Sequence, residues 1–123
     1  MSYTTVQLKV TTVGTAGVAV GSVRKGIAPA QLMAVQINYH GSAPGTTDFT
    51  LKNVLGGVEK LLCGKDNNNT DIPLVKLVHR PIKDNCGTEN TYNDVMVSGE
   101  LLLEVTGCDA LTDAMVVTCI LKV

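Results

Sequence analysis

Residues 33–51 constrain the fold of this chain most strongly, because they carry two runs in which side chains of opposite character alternate. One face of the first run holds Met33, Val35, Ile37 and Tyr39, and one face of the second holds Thr47, Phe49 and Leu51. A period of two is typical of a strand that buries one face. Between the runs, residues 41–45 read Gly-Ser-Ala-Pro-Gly, a composition typical of a turn. The segment therefore predicts a strand, a tight connection and a second strand.

The composition extends this prediction to the whole chain. Val occurs 17 times and Thr 14 times among 123 residues, and both are β-branched residues that favour strands. Gly, Pro, Asn and Asp cluster between the apolar runs, whereas helical periodicity is almost absent. We therefore expect an all-β fold with little helix: one domain over residues 1–123, built as an antiparallel β-sandwich or a jelly-roll or barrel-like variant of about eight or nine short strands.

The predicted strands lie at residues 4–13, 17–24, 31–40, 47–54, 58–63, 72–80, 94–97, 99–106 and 114–123. Residues 24–26, Arg-Lys-Gly, are expected to end the second strand. Ser98 and Gly99 either separate two strands or mark a β-bulge. Residues 84–93 are expected to form a long loop, and residues 107–113 have room for one short helical turn.

The last predicted strand is apolar on both faces. One face holds Met115, Val117, Cys119, Leu121 and Val123, and the other, also largely apolar, holds Val116, Thr118, Ile120 and Lys122. The run Leu101, Leu102 and Leu103 shows the same doubling. Because each sheet of an isolated sandwich has one wet face, either a second subunit covers one face or the strand is central and is covered within the chain. On the first explanation, the subunit interface contains Leu102, Val116, Thr118 and Ile120.

Charge and composition argue against several classes of function. The net charge is −1 and the ten Lys and Arg residues are scattered, so we expect no nucleic-acid partner. With three Tyr, one Phe and no Trp, the chain has few rings on which a sugar or base can stack. We find no signal peptide and no apolar run of the roughly 20 residues that a membrane-spanning helix needs. We therefore expect no membrane contact and synthesis in a cytoplasm.

Candidate chemical groups are also few. The chain carries none of the common catalytic motifs, and its four cysteines form no CxxC pair, so we expect neither an enzyme nor a zinc site, and no cofactor or small-molecule substrate. Cys63 and Cys119 are interpreted as small core residues, and Cys86 as the most exposed thiol. The two histidines, His40 and His79, are expected to fix loops through hydrogen bonds.

Residues 66–71 place carboxylates and amides at alternating positions, as a calcium-binding loop does. However, Asp71 stands at the sixth position, where such a loop has Gly, and Leu77 at the twelfth, where it has Glu. We interpret the segment as a solvated turn, with ion binding as the alternative.

Residues 36–48, Gln-Ile-Asn-Tyr-His-Gly-Ser-Ala-Pro-Gly-Thr-Thr-Asp, resemble a segment of the small head-decoration (cement) proteins of tailed bacteriophages, notably marine and freshwater (cyanophage-like) phages. Two further features are similar to that family. Residues 69–71, Asn-Thr-Asp, precede a predicted strand that ends at Arg80. The ending runs from residues 98–101 through residues 108–112 into a final Val-rich strand. Together these features cover most of the chain after residue 17.

The resemblance implies a compact β-sandwich or barrel-like domain that forms a homotrimer on the outside of an icosahedral head. Such a protein binds the major capsid protein where capsid subunits meet and stabilises the shell, with no catalytic step. The expected location is therefore the outer surface of the virion, after synthesis in the bacterial cytoplasm.

Within that interpretation, two segments are expected to contact the capsid: the N-terminal residues Ser2, Tyr3, Thr4 and Thr5, and the turn residues Ala43, Pro44, Gly45 and Thr46. Three alternatives stay open. The chain could be a carbohydrate- or receptor-binding module of a phage tail or fibre, a tail-tube or connector subunit, or a small enzyme on a jelly-roll scaffold. Exposed aromatic rings or an ordered calcium site would favour the first alternative, and tube or ring assembly the second. The third needs a larger histidine set than two residues supply.

Overall fold

A computed structural model describes the backbone of residues 2–76, 80–83, 90–93 and 95–123, and the side chains of these ranges outside residues 74–94. Within these ranges the chain forms nine strands and no helix, which confirms the predicted all-β fold. The strands are β1 (Tyr3–Val10), β2 (Ala19–Tyr39), β3 (Asp48–Leu55), β4 (Val58–Lys65), β5 (Ile72–Lys76), β6 (Arg80–Lys83), β7 (Asn90–Asn93), β8 (Met96–Cys108) and β9 (Met115–Lys122).

Seven of these strands form one antiparallel sheet. Its order is β1-β9-β2-β8-β3-β4, and β5 pairs with β2 beside this path. Strands β6 and β7 pair with each other in a separate two-stranded ladder. The β7 strand falls in the region predicted as a long loop, whose residues 84–89 lie outside the described part of the chain.

Strand β2 is 21 residues long and replaces two of the predicted strands. The expected break at residues 24–26 is wrong, because Arg24, Lys25 and Gly26 all pair with β8. The ladder instead shifts between Ile27 and Ala30, where Pro29 has no N–H to donate. Neighbouring backbone therefore overrides a local composition that favours a turn. The first half of β2 pairs with β8, and the second half pairs with β9 and β5.

Strand β8 also joins two predicted strands. Ser98 and Gly99 mark a β-bulge rather than a break between two strands, because they lie within one strand, in the region where the β2–β8 register shifts. Gly99 has φ +83°, a left-handed conformation that glycine adopts at bulges without penalty. Residues 107–113 contain the end of β8 followed by turns, and not the predicted helical turn. Asp113 has a φ of +50°.

The sheet folds over one core. The β9 half of the sheet consists of β1, β9, β5 and the second half of β2, and the β8 half consists of β8, β3, β4 and the first half of β2. Buried side chains from both halves belong to one contiguous cluster, which includes Leu8, Val117, Cys119, Phe49 and Leu103. The two halves therefore face each other, and the fold is sandwich-like, as predicted. The rings of Tyr39 in β2 and Phe49 in β3, two strands that do not pair with each other, meet edge to face with their centroids 6.3 Å apart.

The backbone at Gly99 generates a stability prediction. A Cβ added there would lie 2.6 Å from the Val54 carbonyl oxygen, on a residue that also has φ +83°. We expect Gly99→Ala to lower the free energy of unfolding by about 2–3 kcal/mol, measured by urea denaturation followed by circular dichroism. Gly45→Ala is the matched control, because a Cβ at Gly45 meets no atom within 4 Å. Equal stability of the two variants would contradict this account of the bulge.

Candidate functional site

Four connections gather at one end of the sheet: residues 11–18, 40–47, 66–71 and 109–114. The strand register requires this arrangement. Met115, at the start of β9, pairs with the last residue of β1 and the last residue of β2. The start of β3 and the end of β4 pair through Phe49 and Lys65 at the same end. We call residues 40–47 and 66–71 together the loop platform.

The loop between β2 and β3 is held by its own hydrogen bonds. The amide N–H of Ala43 donates to the His40 carbonyl oxygen at 2.9 Å, and that of Thr47 donates to the Pro44 carbonyl oxygen at 3.1 Å. The Thr47 hydroxyl donates to the same Pro44 oxygen at 2.7 Å. His40 Nδ1 accepts from the Ser42 amide at 3.0 Å, which confirms the predicted loop-fixing role of this histidine. His79, the other histidine, lies outside the described residues.

The loop between β4 and β5 makes hydrogen bonds that hold the loop between β2 and β3 in place. The Asn69 side-chain amide donates to the Ala43 carbonyl oxygen at 2.9 Å, and the Asn68 backbone amide donates to the Thr47 carbonyl oxygen at 3.0 Å. The Asp71 carboxylate accepts from the Tyr39 amide at 2.7 Å. These amide and carboxylate groups therefore satisfy backbone groups of the neighbouring loop, which gives the alternating polar pattern of residues 66–71 a structural role.

Tyr39 anchors the loop platform to the core. The residue is buried, and its hydroxyl oxygen accepts a hydrogen bond from the Asn68 side chain at 3.0 Å. Burial raises the pKa of the Tyr39 hydroxyl, an effect that the Asn68 hydrogen bond partly opposes. The phenol therefore stays neutral at physiological pH and acts as a hydrogen-bonding core residue.

The later part of the third resembling segment, from Gly107 onward, lies at the same end of the sheet. The Thr46 hydroxyl donates to the Gly107 carbonyl oxygen at 2.7 Å, and the His40 amide donates to the Ala114 carbonyl oxygen at 2.9 Å. Parts of the three resembling segments thus meet around the loop platform, although they are far apart in sequence, whereas residues 98–101 pair with β2 and β3 toward the other end of the sheet. Among the four turn residues predicted to contact a capsid, Ala43 is buried and Pro44 is half-buried. The exposed pair that could touch a partner is Gly45 and Thr46.

The other predicted capsid-contact segment lies at the opposite end of the sheet. Ser2 exchanges backbone hydrogen bonds with Val123, and Tyr3, Thr4 and Thr5 belong to β1 rather than to a free arm. Eight paired residues of β1 separate these ends, a distance of about 26 Å at roughly 3.3 Å per residue. The two predicted contact segments therefore do not form one patch.

Three of the four predicted interface residues share one surface. Val116, Thr118 and Ile120 are half-buried on the outer face of β9, where the chain itself covers them incompletely. Their neighbours on the β1 side are the polar residues Lys9, Gln7 and Thr5, and on the β2 side they are Asn38, Gln36 and Ala34. The face is therefore a β-branched row between largely polar strands, and its role as an interface stays a prediction.

Leu102 lies elsewhere, on the outer face of the β8 half. It is 3% exposed, and its cross-strand neighbours are Arg24 and Lys52. Those cations pair with acids on the same face: Arg24 contacts Glu100 at 3.5 Å, and Lys52 contacts Glu104 at 2.9 Å. Leu102 is thus covered within the chain, and it shares no surface with the β9 row. The apolar doubling of residues 101–103 here matches the second explanation drawn from the sequence.

The described thiols behave as core groups. Cys108 and Cys119 are fully buried, and Cys63 is half-buried against the core, as predicted for Cys63 and Cys119. Burial, with a smaller contribution from Cys63, raises the pKa of the Cys119 thiol to about 12. A thiol must ionise to act as a nucleophile or metal ligand, so Cys119 is inert at neutral pH. Cys86, predicted to be the most exposed thiol, lies outside the described residues.

The Asp71 carboxylate generates a prediction about the loop platform. We expect Asp71→Ala to cost about 1–2 kcal/mol of unfolding free energy, because a part-buried amide loses a charged acceptor. Hydrogen exchange at the Tyr39 amide should accelerate in the same variant. Asp66→Ala removes the same charge from an exposed position of the same loop and should stay within about 0.5 kcal/mol of the parent. Unchanged exchange at the Tyr39 amide would show that the Asp71 carboxylate does not hold this end of the loop.

No protein-family model matches this chain, and no curated protein matches it either. Within the described residues, no helix is long and apolar enough to cross a membrane. The same part of the chain contains no group of three or more His, Cys, Asp or Glu side chains placed to hold a metal ion.

Proposed function

We propose that the chain is a structural virion protein that binds the outside of an icosahedral phage head as a trimer and stabilises the shell of major capsid protein. The observation that carries the proposal is that parts of the three resembling segments meet at the loop platform: residues 40–47, residues 69–71 and Gly107. Segments that are far apart in sequence but build one surface can serve one contact with a partner, and a shared contact would explain why each of them resembles the same family. The loop platform supplies that surface at the end of the sheet opposite the two chain ends.

The loop platform is held in one conformation by its own hydrogen bonds, which suits a protein that binds a partner without catalysis. Asn68 and Asn69 donate hydrogen bonds to the loop between β2 and β3, and Asp71 accepts one from Tyr39 at the start of that loop, so the loop is held before any partner arrives. A preorganised surface loses little conformational entropy on binding, so more of the contact energy remains as affinity.

The proposed mechanism is mass action on the shell. A protein that binds the assembled, expanded head but not the free capsid subunits shifts the equilibrium toward the head. A trimer multiplies this effect, because three linked weak contacts dissociate together far less often than one. Neither step requires a cofactor or a reacting group.

The capsid contact can be tested by cosedimentation with empty, expanded, undecorated heads, including those of the phage whose genome encodes the chain. We expect the parent protein to cosediment and to raise the temperature at which the heads break open. Gly45→Arg should weaken binding at least tenfold, because it places bulk and charge at the exposed tip of the loop platform. Lys60→Glu, in exposed β4 toward the hairpin at the other end, is the control and should bind normally. Binding to none of the heads, or equal loss in both variants, would contradict the proposal.

The trimer contact can be tested at Ile120. We expect Ile120→Lys to convert a trimer to smaller species, because it places a charge on the outer face of β9 that a partner subunit would have to bury. Ser22→Lys adds the same charge to the outer face of the β8 half and should leave the mass unchanged. Light scattering coupled to size-exclusion chromatography measures both, with circular dichroism to confirm folding. A trimer that survives Ile120→Lys unaltered would remove this face from the interface.

A further inference from the structure

The described part of the sheet ends in three edges, formed by β1, β4 and β5, and two of them carry features that block pairing with another strand. In β4, the register shifts opposite Leu51 and Lys52, and the charged residues Glu59, Lys60 and Lys65 are exposed. In β5, Pro73 removes a backbone donor, and the β2–β5 register also shifts. Bulges, charges and proline are the usual protections of an edge strand.

The β1 edge has none of these protections over most of its length. Eight consecutive residues, Tyr3–Val10, pair with β9 without a register shift. Residues 2–8 read Ser-Tyr-Thr-Thr-Val-Gln-Leu and contain no charged residue and no proline. A straight, uncharged edge rich in β-branched residues is a ready template for another extended strand.

The hydrogen bonds fix which backbone groups point outward from this edge. Ser2 and Val123 exchange N–H to carbonyl bonds, so the even-numbered residues of β1 face β9. The odd-numbered residues Tyr3, Thr5 and Gln7 therefore turn their N–H and C=O groups away from the sheet. The Gln7 carbonyl oxygen agrees with this assignment, since it accepts a hydrogen bond at 3.4 Å from Lys25, which lies on β2 rather than β9.

We propose that the β1 edge is a strand-pairing site and that β1 of a second copy occupies it, antiparallel about a twofold axis at Thr5. A row of outward N–H and C=O groups is satisfied as a set by another extended backbone. Centring the pair on Thr5 places Tyr3 opposite Gln7 of the second copy and uses all three outward-facing residues. Six hydrogen bonds form when the Gln7 carbonyl oxygen of each copy exchanges its exposed bond from Lys25 for one from the Tyr3 amide of the other copy.

The side chains of β1 suit this register. Thr5 lies opposite its own copy, and Thr–Thr pairs are among the favourable cross-strand contacts. On the other face, half-buried Val6 lies opposite Thr4 of the second copy, and no like charges meet. Thr5 also neighbours Ile120 in the β1–β9 ladder, so the pairing extends the β9 outer face continuously from one copy into the next.

This inference is independent of the proposed capsid function. Pairing through β1 uses a backbone edge, whereas the proposed trimer uses the outer face of β9. The two contacts therefore predict different masses: two chains for the edge alone, three for the face alone, and multiples of six for both.

Proline at Thr5 tests the edge directly. Thr5→Pro removes a donor that points away from β9, so the β1–β9 ladder should stay intact while pairing between copies weakens at least about tenfold. Thr5→Val keeps the N–H and the β-branched shape, and it should pair like the parent. Sedimentation equilibrium over a range of concentrations measures the dissociation constant. A parent chain that shows no self-association at millimolar concentration would overturn the proposal, and so would an unchanged constant in Thr5→Pro.

A crosslink tests the register, on a background in which Cys86 is replaced by Ser. In the proposed pair the two Thr5 Cα atoms are about 5.5 Å apart, within the range that a disulfide spans. Thr5→Cys should therefore form an intermolecular disulfide rapidly under mild oxidation. Thr4→Cys, offset from its own copy by two residues along each strand, should crosslink much more slowly. Equal rates for the two variants would reject a pair centred on Thr5, and capture of a different protein's strand by a monomeric chain would reject the second copy as occupant.

Discussion

The backbone of β2 is the constraint on which the rest of this structure depends. Its first half forms a ladder with β8, and its second half forms ladders with β9 and β5. One uninterrupted strand therefore belongs to both halves of the folded sheet, and the register shift between Ile27 and Ala30 lets it pass from one to the other. The shared core follows from this geometry, because apolar side chains on the two halves are brought to face each other.

The sequence predicts the class of fold well because period-two alternation is a local property. Residues 33–40 and 47–54 show it directly, and all of them except His40 and Thr47 lie in β2 or β3. The continuity of β2 through residues 24–26 could not be predicted in the same way. What keeps Arg24 to Gly26 extended is the β8 backbone beside them, which is more than seventy residues away in sequence. The local sequence contains two charged residues and a glycine, which favour a turn. The backbone stays extended because its hydrogen-bonding partners come from β8, which only the assembled sheet supplies.

The sequence predicts the surfaces of the protein only in part, for the same reason. The sequence identifies the apolar doubling in residues 101–103 and in the last strand, and one of its two explanations assigns both to a single interface. The sheet order separates them: Leu102 is covered by neighbours in the β8 half, while Val116 and Ile120 lie half-buried on the β9 half. Likewise, the sequence singles out residues 36–48 and 69–71, but only the structure shows that Asn68, Asn69 and Asp71 bind the other loop together. The apolar or polar character of a side chain can be read from the sequence, but which residues share a surface depends on how distant strands pair.

The pairing of the first strand with the last has a consequence for the synthesis of the chain. Strand β9 lies between β1 and β2, so these two strands have no ladder joining them until residues 115–122 have left the ribosome. Before that moment, the inner faces of β1 and of the second half of β2 lack the neighbour that completes their half of the sheet. Folding should therefore be a late and concerted event that follows translation of β9, and slow in the manner of proteins whose contacts join distant parts of the sequence. During that interval the exposed edges of the nascent chain are most open to pairing with the wrong strand.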